Sequence, residues 1–319
     1  MLDQSRDLNL AASLASWAVL LAICCACAGC GDGQVIALGA SAPKPYQFSL
    51  PRLVAELSVP GARTDNPTLS PDLLEIFFTS NREGEDESDI WTARRTTRNE
   101  PFGTPERVSA LNSADYEAGC SLDAAALTMW FSSDRPGGLG DLDIMSTTRS
   151  ARGAAWTAPI HLPQLNSPAK DVARPPGQHE TIMPLGSDRA RRGYYQTYLA
   201  ERSDRDSEFG APELLSAFAY PAWSTVIDGF LSDDGLTLFF SGNERPGPGP
   251  GLGQYDLFVA WRKSTDDPFV NPAPLDELNT PTSDELDPWL SADGTEFYFT
   301  STRSGFHNIY VADIQLSGP

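Results

Sequence analysis

An aromatic residue followed three positions later by proline recurs five times along this 319-residue chain. The pairs are Phe48/Pro51, Phe102/Pro105, Trp156/Pro159, Phe209/Pro212 and Phe269/Pro272, spaced by 54, 54, 53 and 60 residues. A leucine–asparagine pair follows in three units, at Leu111-Asn112, Leu165-Asn166 and Leu278-Asn279. Such a period means that each unit is one supersecondary element, able to bury its apolar face only against its neighbours.

A second block lies inside four of the units: NPTLSPDLLEIFFTSNREG from Asn66, EAGCSLDAAALTMWFSSDRPG from Glu117, DGFLSDDGLTLFFSGNERPG from Asp228 and DPWLSADGTEFYFTSTRSG from Asp287. Each reads as a short strand ending at Ser70, Ser121, Ser232 or Ser291. A turn follows, where Asp and Ser bond local backbone and Gly supplies positive φ. The next strand is rich in aromatic residues, which suit a buried sheet. A loop then leads to a third strand, at Asp89-Ile90-Trp91, Asp143-Ile144-Met145, Asp256-Leu257-Phe258 and Asn308-Ile309-Tyr310. The stretch from the aromatic-x-x-Pro to Leu-Asn supplies a fourth. In the third unit no clean turn stands between Asp171 and Glu208; Gly186-Ser187-Asp188 reads as its relic and Gly193-Tyr194-Tyr195 as its second strand.

Four strands per unit, repeated about an axis, predict an all-β, five-bladed β-propeller. The fifth unit ends after its third strand at Val311-Ala312-Asp313-Ile314, whereas residues 48–60 offer a fourth strand with no preceding three. Joined, they complete one blade and hide two sheet edges.

The blocks resemble the TolB-type, WD-repeat-like propeller repeats, marked by a Ser-Pro-Asp-Gly turn and a later Ser-x-Arg-x-Gly-x-x-Asp-Ile-Tyr. Ser70-Pro71-Asp72 with Ser80-Asn81-Arg82-Glu83-Gly84 carries the match, as does the stretch from Ser291 to Tyr310, where Asn308 replaces the Asp. The resemblance covers nearly all of residues 48–319. It implies binding of protein or ligand at the periplasmic or outer-membrane surface and brings no catalytic residues with it. Propellers serve many roles, so it speaks to fold first.

Four of the five cysteines, Cys24, Cys25, Cys27 and Cys30, cluster in an N-terminal segment without charge from Leu8 through Cys30. This reads as a secretory signal over residues 1–29. Cys27-Ala28-Gly29-Cys30 resembles the bacterial lipobox, with Cys27 where Leu is usual, which implies lipidation of Cys30 as the mature N-terminus. Gly31 follows, so an inner-membrane-retaining Asp is not at that position, and the outer membrane is expected by analogy. An uncleaved spanning helix and a simple cleaved signal remain alternatives; a zinc cluster of these cysteines lacks a polar, foldable scaffold. Residues 30–47, rich in Gly, Ala, Ser and Pro, form a tether, leaving the propeller at 48–319. With only Cys120 beyond the cluster, no disulfide framework is expected.

Lys plus Arg number 23 against 43 Asp plus Glu, a formal charge of −20. Such a surface repels phosphate backbones, excluding nucleic acid as a natural partner, and disfavours broad adhesion to anionic headgroups. Membrane contact is expected through the lipid anchor only, and the protein as a monomer.

Four constellations bear on chemistry. Asn66, Glu117, Asp228 and Asp287 each stand four residues before their serine; on innermost strands they would converge on the central channel, where carboxylates could hold a divalent cation such as calcium or simply serve their own blades. Arg82, Arg135, Arg245 and Arg303 each precede Asp89, Asp143, Asp256 or Asn308 across a loop and are read as structural staples to them. Lys170, Arg174, Arg189, Arg191, Arg192, Arg202 and Arg205, with His179 among them, concentrate basic charge in the third unit, either as a landing patch for an acidic partner or glycan or as solvated surface. The acidic loops 83–89 and 137–143 fit a calcium loop only loosely. His161, His179 and His307 sit in different units, and no nucleophile elbow, His-Glu-x-x-His or phosphate loop occurs. The expected function is therefore a cell-envelope binding module for protein or glycan without a further cofactor. The competing reading is a glycoside hydrolase using Glu117, Asp228 and Asp287 in the funnel, which would need two carboxylates in different environments roughly 5–10 Å apart.

Overall fold

The computed structural model describes residues 46–84, 87–177, 179–219, 223–243 and 255–316. Cys30, Asp86 and Arg245 lie outside them.

The chain forms five antiparallel sheets around an axis. The first blade is β3 (Thr64–Leu69), β4 (Glu75–Ser80), β5 (Asp89–Arg94) and β6 (Glu106–Arg107); the second is β7 (Glu117–Leu122), β8 (Thr128–Ser133), β9 (Asp143–Thr148) and β10 (Ile160–His161). The third is β11 (Asp171–Ala173), β12 (Ile182–Ser187), β13 (Gln196–Glu201) and β14 (Glu213–Leu214); the fourth is β15 (Thr225–Leu231), β16 (Thr237–Asn243), β17 (Asp256–Trp261) and β18 (Val270–Pro274). The fifth is β19 (Glu285–Leu290), β20 (Glu296–Ser301) and β21 (Asn308–Leu316), completed by β1 (Tyr46–Phe48) and β2 (Arg52–Leu53).

Closure follows the expected phase. Phe48 pairs with Ile314 and Leu53 with Tyr310, so both N-terminal strands lie along β21. Strand pairing begins at Tyr46, opposite Leu316, two residues ahead of the expected boundary. Tyr46 and Phe48 meet Phe239 and Phe297 edge-on at 5.3 and 5.2 Å, so the first residues of the propeller bury against its last two blades.

Successive side chains of a strand point to opposite faces, and here each face meets a neighbouring blade. Phe77 packs toward the second blade and Phe78 toward the fifth; Phe239 packs toward the fifth and Phe240 toward the third. Five apolar clusters result, one per blade interface. That is why the second strands read as near-continuous aromatic runs.

Two arginine series hold the blades together. Arg135, Arg189 and Arg303 cross to Glu117, Asp171 and Glu285 at the start of the innermost strand, at 2.9, 2.6 and 3.1 Å. The same guanidiniums bond the carbonyls of Leu111, Leu165 and Leu278. The expected pairing with Asp89, Asp143 and Asn308 is not formed: Asp89 binds Arg107, and Asp143 accepts from the Gly140 N–H. Arg82 bonds the Leu57 carbonyl, but Thr64 stands where a carboxylate would be, and burial lowers its pKa to about 10. Gly186-Ser187-Asp188 is therefore not a turn relic. It ends β12 and introduces Arg189, while Tyr194 and Tyr195 precede the third strand. The second series, Arg95, Arg149, Arg202 and Arg262, lies over Phe102, Trp156, Phe209 and Phe269 at 4.4–4.6 Å. Each Nε also donates to a carbonyl. Between blades, Arg149 grips Glu75 with both terminal nitrogens, at 3.2 and 2.7 Å. The repeated Asn112, Asn166 and Asn279 each exchange two bonds with the backbone of the third strand, at Ile90, Ile144 and Leu257.

Candidate functional site

The innermost strands of four blades carry a β-bulge before their last two residues. The bulged residue takes positive φ at Asn66 (53°), Gly119 (61°), Asp228 (62°) and Asp287 (54°). Asn and Asp tolerate this region better than other side-chain-bearing residues, which fits their use here. A bulge re-aims a side chain, and these converge on the axis. Glu117 is not among them. It lies two residues earlier, fully buried under Arg135 and bonded by the Ser113 and Ser133 hydroxyls. Gly119 holds the equivalent place in the second blade, where a Cβ would meet Val172 Cγ1 at 2.9 Å. The serine count misplaced Glu117 because Asp123, not Ser121, opens that blade's turn, its Oδ1 accepting from Leu127 and Thr128 N–H.

The ring closes on an arginine. In the third blade β11 runs into Arg174-Pro175-Pro176, and the Arg174 side chain, 8% exposed, enters the channel. Its Nη1 donates to Asn66 Oδ1 at 2.7 Å, and its Nη2 contacts Asp228 and, at 3.2 Å, Asp287. The bulge amides complete the circuit: Asn66 N–H donates to Asp287 Oδ2 (3.2 Å) and Asp287 N–H to Asp228 Oδ2 (3.3 Å). The Cys120 thiol of the second blade points at the Asn66 carbonyl, 3.4 Å away, and burial pushes its pKa well up. Thus three of the four ring candidates meet one of the basic candidates and are bonded between blades, while the Asn66 amide also donates to Asp65 and Thr79 of its own blade. A guanidinium occupies the centre considered for a divalent cation. Among the described residues no group of three or more His, Cys, Asp or Glu is placed to hold a metal.

Above this plug, on the face where the innermost strands begin, opens a funnel of about 510 Å³. The innermost-strand position facing it is apolar in four blades, Ala118, Val172, Ile227 and Leu286, but is Asp65 in the first. Asp65 is 2% exposed and bound by Arg63 at 2.8 Å and by the Thr79 hydroxyl. Burial pushes its pKa up, but Arg63, Thr79 and His307 together hold it below the ordinary carboxylate range. Asp287 goes the other way: burial raises it despite Arg174. Around the mouth stand Tyr116, Tyr195 and Tyr255, from three blade junctions, with Lys170, Glu87, Asp134 and Asp141. Burial raises the Tyr195 phenol to about 12, so it is a neutral hydrogen-bonding ring at any physiological pH. Arg174 Nε has no acceptor among the described residues.

Asp65 escaped the sequence reading. Its signal was a lone carboxylate at a register position filled by Ala, Val, Ile and Leu elsewhere, visible only once the bulges align the strands. Five of the remaining basic candidates each have a local partner. Arg189 and Arg202 belong to the two staple series, Arg191 stacks on Tyr194 at 3.9 Å, Arg192 reaches Asp141 and the Pro168 carbonyl, and Arg205 bonds Glu180 at 3.2 Å. His179 faces Asp233 at 3.1 Å.

No family model matches the chain, and no curated protein is similar to it in sequence. Among solved structures it is similar to an α-L-arabinofuranosidase of Podospora anserina (TM-score 0.57, 12% identity, 86% of this chain and 99% of that one) and to the catalytic domain of an α-L-arabinofuranosidase of Coprinopsis cinerea (0.54, 10%, 85% and 97%). A protein of Agrobacterium tumefaciens described as a TolB also aligns (0.46, 13%, 78% and 73%). At these identities what is shared with the two arabinofuranosidases is the propeller fold.

Proposed function

We infer that the protein is a cell-envelope lipoprotein, exported and anchored through Cys30 at the outer membrane, whose propeller binds a glycan or a glycan-bearing protein in the funnel. The observation that carries this reading is the funnel itself. Three tyrosines rim a concave site of ligand size, while Asp65, Asn66 and Arg63 offer acceptors and donors at its base. Tyrosine presents a flat apolar body and a polar tip, and fixed carboxylates accept from hydroxyl groups. The carboxylates at the base are already neutralised by Arg63 and Arg174, which suits holding a neutral polyol better than moving protons. Isothermal titration with neutral oligosaccharides, arabinose-containing ones included, tests the reading. Saturable binding lost in Tyr195→Ala supports it; binding untouched by that change would refute it.

A second reading, glycoside hydrolysis, draws on one observation. Asp65 and Asp287 are carboxylates of one site with opposite shifts, the pattern that separates a base from an acid. The fold shared with the arabinofuranosidases is compatible with it. Glu117 has no part in it. Release of reducing sugar that disappears in both Asp65→Asn and Asp287→Asn decides for hydrolysis.

A further inference from the structure

The Arg174 girdle divides the channel, and the far side is a different environment. Where the innermost strands end, a cavity of about 550 Å³ opens. The residue before each inner turn is apolar in every blade: Leu69, Leu122, Pro176, Leu231 and Leu290. Architecture alone explains that ring. Phe230 and Trp289 stand beside it with ring centroids 6.3 Å apart, at a position that is Thr68 and Ser121 in the first two blades; Trp289 is buried in the core between the fifth and first blades, and Phe230 packs against that core. Phe230 is half-buried, so part of its surface faces the cavity. The rim is acidic: Asp123, Glu180, Asp233 and Asp234 stand there against one guanidinium, Arg205, which is bound to Glu180. All four spend an oxygen on a backbone amide: Asp123 on Leu127, Glu180 on Ala124, Asp233 on His179 and Asp234 on Leu236. Asp233 and Asp234 project from the fourth blade's turn on the side of the two aromatics, and Asp233 is largely solvent-exposed. His179, on the facing loop, touches Asp233.

We propose that this cup is a second ligand site, distinct from the funnel, for an organic cation with an apolar body. The apolar group seats against Phe230, whose ring face also attracts a cation, and the ammonium lies at Asp233 and Asp234. An anion of the same shape meets like charge on the rim and is rejected. The shared chemistry is that of a free arylalkylamine or of a Lys side chain beside an aromatic residue in a peptide.

The test is a ligand-observed NMR titration of the protein with 2-phenylethylammonium, 3-phenylpropionate and the dipeptide amide acetyl-Lys-Phe-NH2. Exposed charge pairs are each worth a fraction of a kcal/mol, so attraction replacing repulsion at two carboxylates predicts about tenfold preference for the amine over the carboxylate. Asp233→Asn with Asp234→Asn, both surface changes, should reduce that preference to roughly threefold or less by the same reasoning. Phe230→Ala should weaken the amine, while Tyr195→Ala in the funnel leaves it unchanged. Tighter binding of the dipeptide than of the amine assigns the site to a peptide, and the reverse assigns it to a free amine; either supports the site. Equal binding of amine and carboxylate, no binding of either cation, or a preference that survives the double Asn variant overturns it. Failure here leaves the funnel reading standing, because the Tyr195 variant reads that separately.

Discussion

Replacing Arg174 by Met keeps an unbranched apolar stem and removes the guanidinium from the centre of the channel. Asp228 and Asp287, 3% and 8% exposed, are then left facing each other with Asp65 nearby. Removing one partner of a buried pair typically costs about 3–5 kcal/mol, because the surviving charge is stranded away from water. At roughly 2–4 °C per kcal/mol for a large domain, that is a fall in Tm on the order of 10 °C at pH 7. The pH dependence has a definite sign. Asp287 is already raised above the ordinary range by burial, and losing the guanidinium raises it further. A carboxyl whose folded pKa exceeds its unfolded one contributes stability below the ordinary range, and that contribution is lost as pH rises through the raised value. The deficit of the variant therefore shrinks as pH falls toward about 4. Thermal unfolding of both proteins at neutral and acidic pH reads this directly. Adding Asp228→Asn and Asp287→Asn to the Met variant should recover more than half of the loss, a coupling expected of groups in one network. An unchanged Tm at neutral pH, or a gap that widens in acid, would refute the view of Arg174 as the resident cation of the ring.

Glu75 behaves oppositely. Burial pushes its pKa up, but Arg149 and Arg94 hold it below the ordinary range, so its contribution is present above the unfolded value and fades as pH falls through the folded one; Glu75→Gln should cost about 3 kcal/mol in urea unfolding at pH 7 and much less at acidic pH. Gly119→Asp would extend the acid ring to the second blade, but its φ of +61° and the approach to Val172 predict a loss of roughly 1–3 kcal/mol, measured the same way. Phe48→Ala removes the T-shaped contact with Phe297 in the closing strand, with an expected cost of about 3 kcal/mol and faster proteolysis at the blade-five edge.

Much of this architecture can be read from the chain because repetition averages out local ambiguity. Four in-phase copies of one block expose the strand order, and the missing fourth strand after Ile314 points to residues near Phe48 for closure. The second arginine series carries a sequence mark that the reading missed, each member standing seven residues before the repeat aromatic, as Arg95 does before Phe102. Other features were hidden by register. In the second blade Asp123 takes the turn position that serine holds in its neighbours, so counting back from Ser121 put Glu117 where Gly119 belongs. Arg174 could not be placed because Pro175 and Pro176 erase the turn motif that would align its blade. Its role depends on contacts with Asn66, Asp228 and Asp287, all distant in sequence. Charge clustering misled for a related reason: Arg189 and Arg202 are neighbours along the chain but serve different staples.

The central claim, that a polar funnel above the Arg174 plug is where this propeller meets its ligand, is tested most directly by mapping one titration. Amide and methyl NMR shifts followed while an oligosaccharide ligand is added should move at Tyr116, Ala118, Val172 and Tyr195, and stay still at Leu122, Phe230 and Leu290 on the opposite face. Shifts confined to that opposite face, or to the outer strands of the blades, would contradict it.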